Sequence, residues 1–174
     1  CSYLTIPLLT LPQLQCHGLQ KISMPLNKCG TMSFWLQSPD QRLRGWRKFR
    51  KELDSVDDDV QCLEMLVEWW RLAPVATRVV DPYNSDDWPD PWELLHNGSY
   101  DENVIAIGMA QTLELIDWPC DIHLVQNTKK SYIGLIVSVD EEFILNYTYG
   151  IVEDYDQVMR DCEILRSWKS SELT

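Results

Sequence analysis

Between Ser99 and Asp117 the chain carries apolar residues nearly all the way round a helix. Val104, Ile105, Ile107, Gly108, Met109, Thr112, Leu113, Leu115 and Ile116 occupy most of the circumference. A helix of this kind is stable only when other elements cover it on several sides. The pattern predicts a helix over about 100–117, with Ser99 as its cap and Glu102 three residues on, a capping box. Gly108 at its middle points to close approach of another backbone. The rest of the chain must supply layers that wrap this helix.

The layers that follow it read as strands, at about 121–126, 131–139 and 142–148. Tyr132-Ile133-Gly134-Leu135-Ile136-Val137 is apolar on both faces and is expected at the centre of a sheet. Val139-Asp140-Glu141-Glu142 reads as a tight hairpin. A last helix is expected over about 153–168, with Glu153, Asp154 and Asp156 at its start and Arg166 and Lys169 at its end, both favourable for the helix dipole.

Upstream, Ser38-Pro39-Asp40-Gln41 opens a helix over about 39–53, with Leu43, Trp46, Phe49 and Leu53 as its buried stripe. A second helix is expected over about 56–72, capped by Ser55, with Asp57, Asp58 and Asp59 in its first turn and Val60, Leu63, Val67 and Trp70 inward. Pro74 stops it. Residues 81–92 hold three prolines and two tryptophans and read as an ordered, turn-rich segment; Pro91 starts one short helical turn that Gly98 ends. The expected fold class is α+β, with an N-terminal helical pair, a buried central helix, a three-stranded antiparallel sheet and a C-terminal helix.

Residues 32–174 form one domain in this reading, and residues 1–31 an apolar arm or a non-native upstream segment. The first 31 residues contain no Asp or Glu, and Lys21 and Lys28 are their only full cations. Met32 stands just before the first capped helix. Pro7 and Pro12 and the lack of a positive start speak against a secretory signal. No apolar stretch approaches the roughly 18–20 residues of a membrane helix. The whole chain has 174 residues and a net charge of −12, which argues against a surface built to coat nucleic acid.

Chemistry-bearing patterns are few. The six cysteines, Cys1, Cys16, Cys29, Cys62, Cys120 and Cys162, are widely spaced with no CxxC pair, so neither a disulfide framework nor a zinc site is expected. Outside the arm only His96 and His123 occur. His123 lies three residues from Cys120, but positions i and i+3 of a strand face opposite sides, so the two cannot pair locally. The acids at 57–59 and 81–93 lack calcium-loop spacing and read as helix-start and turn chemistry. No phosphate loop, dinucleotide fingerprint or serine elbow is present. No metal and no cofactor are expected.

Two features suggest a partner surface. Cations crowd the first helix, Arg42, Arg44, Arg47 and Lys48 among them. Eight tryptophans are many for one domain, and Trp69 and Trp70, about 100° apart on a helix, can both be buried only under broad cover. Trp88 and Trp92 stand in the turn-rich segment, where indoles can anchor a partner.

The order of a buried helix opening after Gly98-Ser99-Tyr100-Asp101-Glu102-Asn103, then antiparallel strands ending in Ile144-Leu145-Asn146-Tyr147, resembles the core of the transglutaminase and papain-like superfamily. In that family the nucleophilic Cys starts the helix, a His starts a following strand and an Asp or Asn lies on the next. The resemblance implies Asn103, Ser131 or Tyr132, and Asn146 at those positions: a degenerate site without thiol or imidazole. Trp88-Pro89-Asp90-Pro91-Trp92-Glu93-Leu94 and Leu145-Asn146-Tyr147-Thr148-Tyr149-Gly150 resemble small proteins of tailed bacteriophages, including marine cyanophages. The functional expectation is a non-catalytic interaction component, a small phage virion or assembly protein in the virion or host cytoplasm. Its partners would be other virion or assembly proteins, not nucleic acid or membrane. The alternatives are a papain- or transglutaminase-like enzyme with a displaced nucleophile such as Cys120, and a host-directed phage regulator that uses the basic helix.

Overall fold

The structure, a computed structural model, describes residues 34–76 and 80–173. The arm, with Cys1, Cys16 and Cys29, lies outside the described residues, as does Met32.

Helix α1 runs Pro39–Leu53 and α2 runs Asp59–Arg71. The first starts where its capping box predicts, and the Ser38 amide donates to Gln41 Oε1 at 3.1 Å. The second starts later than predicted. Asp58, not Ser55, is its cap and accepts the Gln61 amide at 2.7 Å, while Ser55 turns back to the Glu52 carbonyl at the end of α1. Helix α3, Pro91–Asn97, is capped by Asp90 and closed by Gly98 at φ +68°.

The central helix α4 runs Glu102–Glu114, and every residue from Val104 to Leu113 is buried. Its cap is Asp101, not Ser99. Tyr100 is held extended by a parallel bridge to Val75, with its amide on the Pro74 carbonyl, so the helix cannot begin until the next residue. Gly108 does face a close neighbour, but that neighbour is the Trp70 ring rather than a backbone; a Cβ at 108 would lie 2.3 Å from it.

Among the described residues the sheet has five strands: β1 Asp121–Asn127, β2 Tyr132–Val139, β3 Phe143–Leu145, β4 Glu153–Asp154 and β5 Glu163–Lys169. Their order is β4-β3-β2-β1-β5, all neighbours antiparallel. The predicted β2 is central. Asp140 and Glu141 both have positive φ, the two-residue turn whose twist suits a hairpin.

The predicted C-terminal helix is corrected. Asp154 caps only a short helix, α5, Tyr155–Met159. Residues 163–169 instead pair with β1. Without them the free edge of β1 would leave a row of backbone donors and acceptors unpaired, and this tertiary need overrides a charge pattern worth at most about 1 kcal/mol per group.

The central helix α4 packs on one face of the sheet and α1 to α3 gather around that helix; this face sends Ile122, Leu124, Leu135, Val137, Val139 and Leu145 into the main core. The other face carries a smaller cluster of Val125, Ile136, Ile144 and Val158, with Tyr132, Tyr147 and Cys162 packed on it. Among the described residues no helix is long and apolar enough to cross a membrane.

Candidate functional site

The start of α4, facing β2 and the end of β3, is where the resemblance implies a site. Asn103 and Asn146 do converge there. Asn103 Oδ1 accepts the Leu135 amide at 3.1 Å. The Asn146 side-chain amide donates to the Glu102 carbonyl at 2.9 Å and to the Leu135 carbonyl at 3.1 Å. Asn146 itself has φ +65°, a conformation that Asn adopts more readily than most residues. The two side chains thus clamp helix to sheet through one backbone unit.

Ser131 and Tyr132 do not join them. Ser131 is exposed in the turn before β2 with φ +51°. Tyr132 packs against Tyr147, with ring centroids 5.4 Å apart, on the face of the sheet away from α4. The convergent positions therefore supply structural amides, with no nucleophile and no base among them.

Cys120 does not replace the missing thiol. It is buried, its Sγ donates to the Ala110 carbonyl at 3.9 Å, and burial pushes its pKa up to about 12. His123 lies on the opposite face of the sheet. Its ring nitrogens meet Ser167 Oγ at 2.7 Å and Ser138 Oγ at 2.8 Å, and burial lowers its pKa. His96 is exposed on the last turn of α3.

The predicted partner residues divide. Arg42 is buried; its guanidinium donates to the carbonyls of Leu95 and His96 at 2.7 Å each, and of Gln37 at 3.0 Å. It closes the end of α3 beside Gly98 and belongs to the interior. Trp69 and Trp70 are also buried, under Phe34, Trp35, Phe49 and Tyr100. The broad cover that their spacing demands comes from this aromatic cluster, not from a partner. Trp88 is buried against Trp168. Arg44, Arg47, Lys48 and Trp92 remain exposed.

A cleft of about 550 Å³ opens at the amino end of α4, on the side of the turn-rich segment. Ser99, Tyr100, Asp101 and Val104 form one wall; Asp87, Pro89 and Glu93 form the other. Asp101 is occupied by the Val104 and Val80 amides, and the Tyr100 hydroxyl donates to the Leu94 carbonyl at 2.8 Å. Asp87 accepts from the Asn84 side chain. Ser99 is exposed within the cleft. The sequence reading takes Ser99 for a cap and the acids for turn chemistry. Nothing in their spacing brings 87, 93 and 99 together; only the fold of residues 81–98 does so.

A buried central helix packed on an antiparallel sheet gives the chain an α+β fold. Solved structures bear this out: the chain is similar to calcium-bound Legionella pneumophila LapG at TM-score 0.61 and 16% identity over 82% of each chain. It is similar to a second LapG structure at TM-score 0.57 and 19% identity, over 81% of this chain and 83% of that one. An EGTA-treated LapG matches at TM-score 0.58 and 19% identity over 81% of both. LapG has a transglutaminase-like cysteine-protease fold, and these likenesses establish the fold alone. No family model and no curated protein sequence matches the chain.

This finding corrects the functional expectation. The likeness in fold to LapG goes against the expected non-catalytic phage virion component and favours the alternative reading over it. The calcium is that of the neighbour. Among the described residues no group of three or more His, Cys, Asp or Glu is placed to hold a metal ion.

Proposed function

We propose that this chain acts on polypeptide amide bonds as a transglutaminase-like enzyme whose nucleophile is displaced from the thiol position of that class to Ser99. The observation that carries the reading is the position of the cleft. It opens at the amino end of the central helix, in a fold shared with a cysteine protease, and its lining includes Ser99 and the carboxylates of Asp87 and Glu93.

The chemistry follows from what lines the cleft. Ser99 Oγ attacks the amide carbonyl while Asp87 or Glu93 accepts its proton. The developing oxyanion lies near the first turn of α4, whose positive dipole end, partly offset by the Asp101 cap, stabilises it. The protonated carboxyl then returns its proton to the departing amine, and water hydrolyses the resulting ester. A carboxylate is a weaker base than imidazole, so turnover slower than in a Cys-His enzyme is expected.

The test is incubation with a denatured protein and a peptide library, with products read by mass spectrometry. Cleavage is expected to fall at least about 100-fold in Ser99→Ala and in the Asp87→Asn, Glu93→Gln pair, with circular dichroism unchanged. Full activity in Ser99→Ala would move the nucleophile elsewhere. Absence of cleavage by the unaltered protein on every substrate would remove the enzymatic reading.

A further inference from the structure

A second, smaller cavity of about 190 Å³ lies behind the Asp86–Pro89 turn, bounded by Ser85, Asp86, Trp88, Gln111, Trp168 and Glu172. Gln111 comes from the middle of the otherwise apolar α4 and is only 1 % exposed. Its Nε2 donates to the Pro89 carbonyl at 2.9 Å. A carbonyl can only accept, so this bond settles which end of the amide is which. Oε1 is left buried with no partner. Such an orphaned acceptor is costly, and native proteins keep very few of them.

The other polar groups lining the cavity favour a cation. Asp86 and Glu172 place two carboxylates at its rim, and Trp88 and Trp168 contribute indoles whose centroids are 4.7 Å apart. Two cations stand close by: Arg166 lies over Trp168 at 5.5 Å and is tied to the Tyr83 carbonyl at 2.6 Å, and Lys169, whose charge also acts on Glu172, is paired with Asp121 at 2.8 Å. Glu172 meets the Lys169 amide only at 3.4 Å.

We propose that this cavity binds a primary alkylammonium group, the side chain of a lysine presented by a partner polypeptide. An ammonium has three donors and no acceptor, which matches Gln111 Oε1 and the two carboxylates. At about 190 Å³ the cavity has room for one linear side chain. The methylene stem would lie along the indoles, with the charge at their faces. The site meets the Ser99 cleft only at Pro89 and does not depend on catalysis.

The experiment titrates the full chain with Nα-acetyl-lysine methylamide, following the indole N–H resonances of Trp88 and Trp168 by NMR. Butylamine and Nα-acetyl-norleucine methylamide serve as the free-amine and uncharged arms. Saturable shifts with a Kd on the order of 1 mM are expected for the lysine probe, tighter than for butylamine, and none for norleucine. Asp86→Asn and Gln111→Met should each weaken binding about fivefold to tenfold. Asp86 is exposed, so its variant reports even if Gln111→Met fails to fold. Absence of saturation by the lysine probe, equal shifts from norleucine, or undiminished binding in Asp86→Asn would overturn the proposal and leave a cavity whose water satisfies Gln111.

Discussion

The Trp70 ring occupies the space that a side chain at Gly108 would need, 2.3 Å from an ideal Cβ there. Its Nε1 donates to Thr112 Oγ1 at 3.2 Å, and Trp46 Nε1 donates to the same hydroxyl at 3.1 Å. Thr112 in turn donates to the Gly108 carbonyl at 2.6 Å. Two helices are thereby keyed to the central one through a single notch and a single hydroxyl.

Gly108→Ala should therefore destabilise the fold by about 1–3 kcal/mol, as overpacking does in a rigid interior. The better helix propensity of Ala, roughly 0.5–1 kcal/mol, offsets only part of this. Urea denaturation measures the difference, and a variant as stable as the parent would show that Trp70 can move aside.

Ile107 and Leu113 are fully buried on α4. Replacing either by Ala should cost about 2–5 kcal/mol, from lost transfer energy plus the cavity left behind. Hydrogen exchange should place the amides of 104–113 among the slowest in the chain.

Asn146→Asp tests the clamp between helix and sheet. The carboxylate would replace two donated hydrogen bonds by repulsion from the Glu102 and Leu135 carbonyls. A loss of about 2–4 kcal/mol near neutral pH is expected, although Asp is the residue type that a catalytic triad would carry there. Unchanged stability would mean that the amide is not the clamp.

His123 makes stability depend on pH. Burial lowers its folded pKa below the ordinary 6.5, while Asp121 and Glu141 push the other way and Lys169 adds to the lowering. The unfolded chain therefore takes up a proton first as pH falls. The stability held above about pH 6.5 is lost as pH drops toward the folded value. Denaturation curves at pH 8 and pH 5.5 should show this loss, and His123→Gln should reduce it.

The buried thiols should be inert. Burial pushes Cys62 up to about 11 and Cys120 up to about 12, so little thiolate exists at pH 8. Alkylation by iodoacetamide, mapped by mass spectrometry, should modify both at least about 100-fold more slowly than an exposed cysteine. Cys162, half-buried beside Asn127, should react before either.

The order of helices and strands was legible in the chain wherever the signal is local. The box at Ser38 and Gln41 places the start of α1, the apolar circumference of 104–113 predicts the burial of α4, and Asp140-Glu141 marks the hairpin, because capping, periodicity and turn conformation act over a few residues. Contacts across the fold decided the rest. Residues 163–169 became a strand because β1 needed an edge partner, and Trp69 and Trp70 went inward because Phe34, Trp35, Phe49 and Tyr100 close over them. In sequence Arg42 is one more cation of a basic helix, since nothing near it reveals the carbonyls of Leu95 and His96, over fifty residues away. The cleft is the same case. Asp87, Glu93 and Ser99 are ordinary turn residues until the Asp90-capped helix folds them against the start of α4, and the meeting of groups distant in sequence is a property of packing rather than of any local pattern.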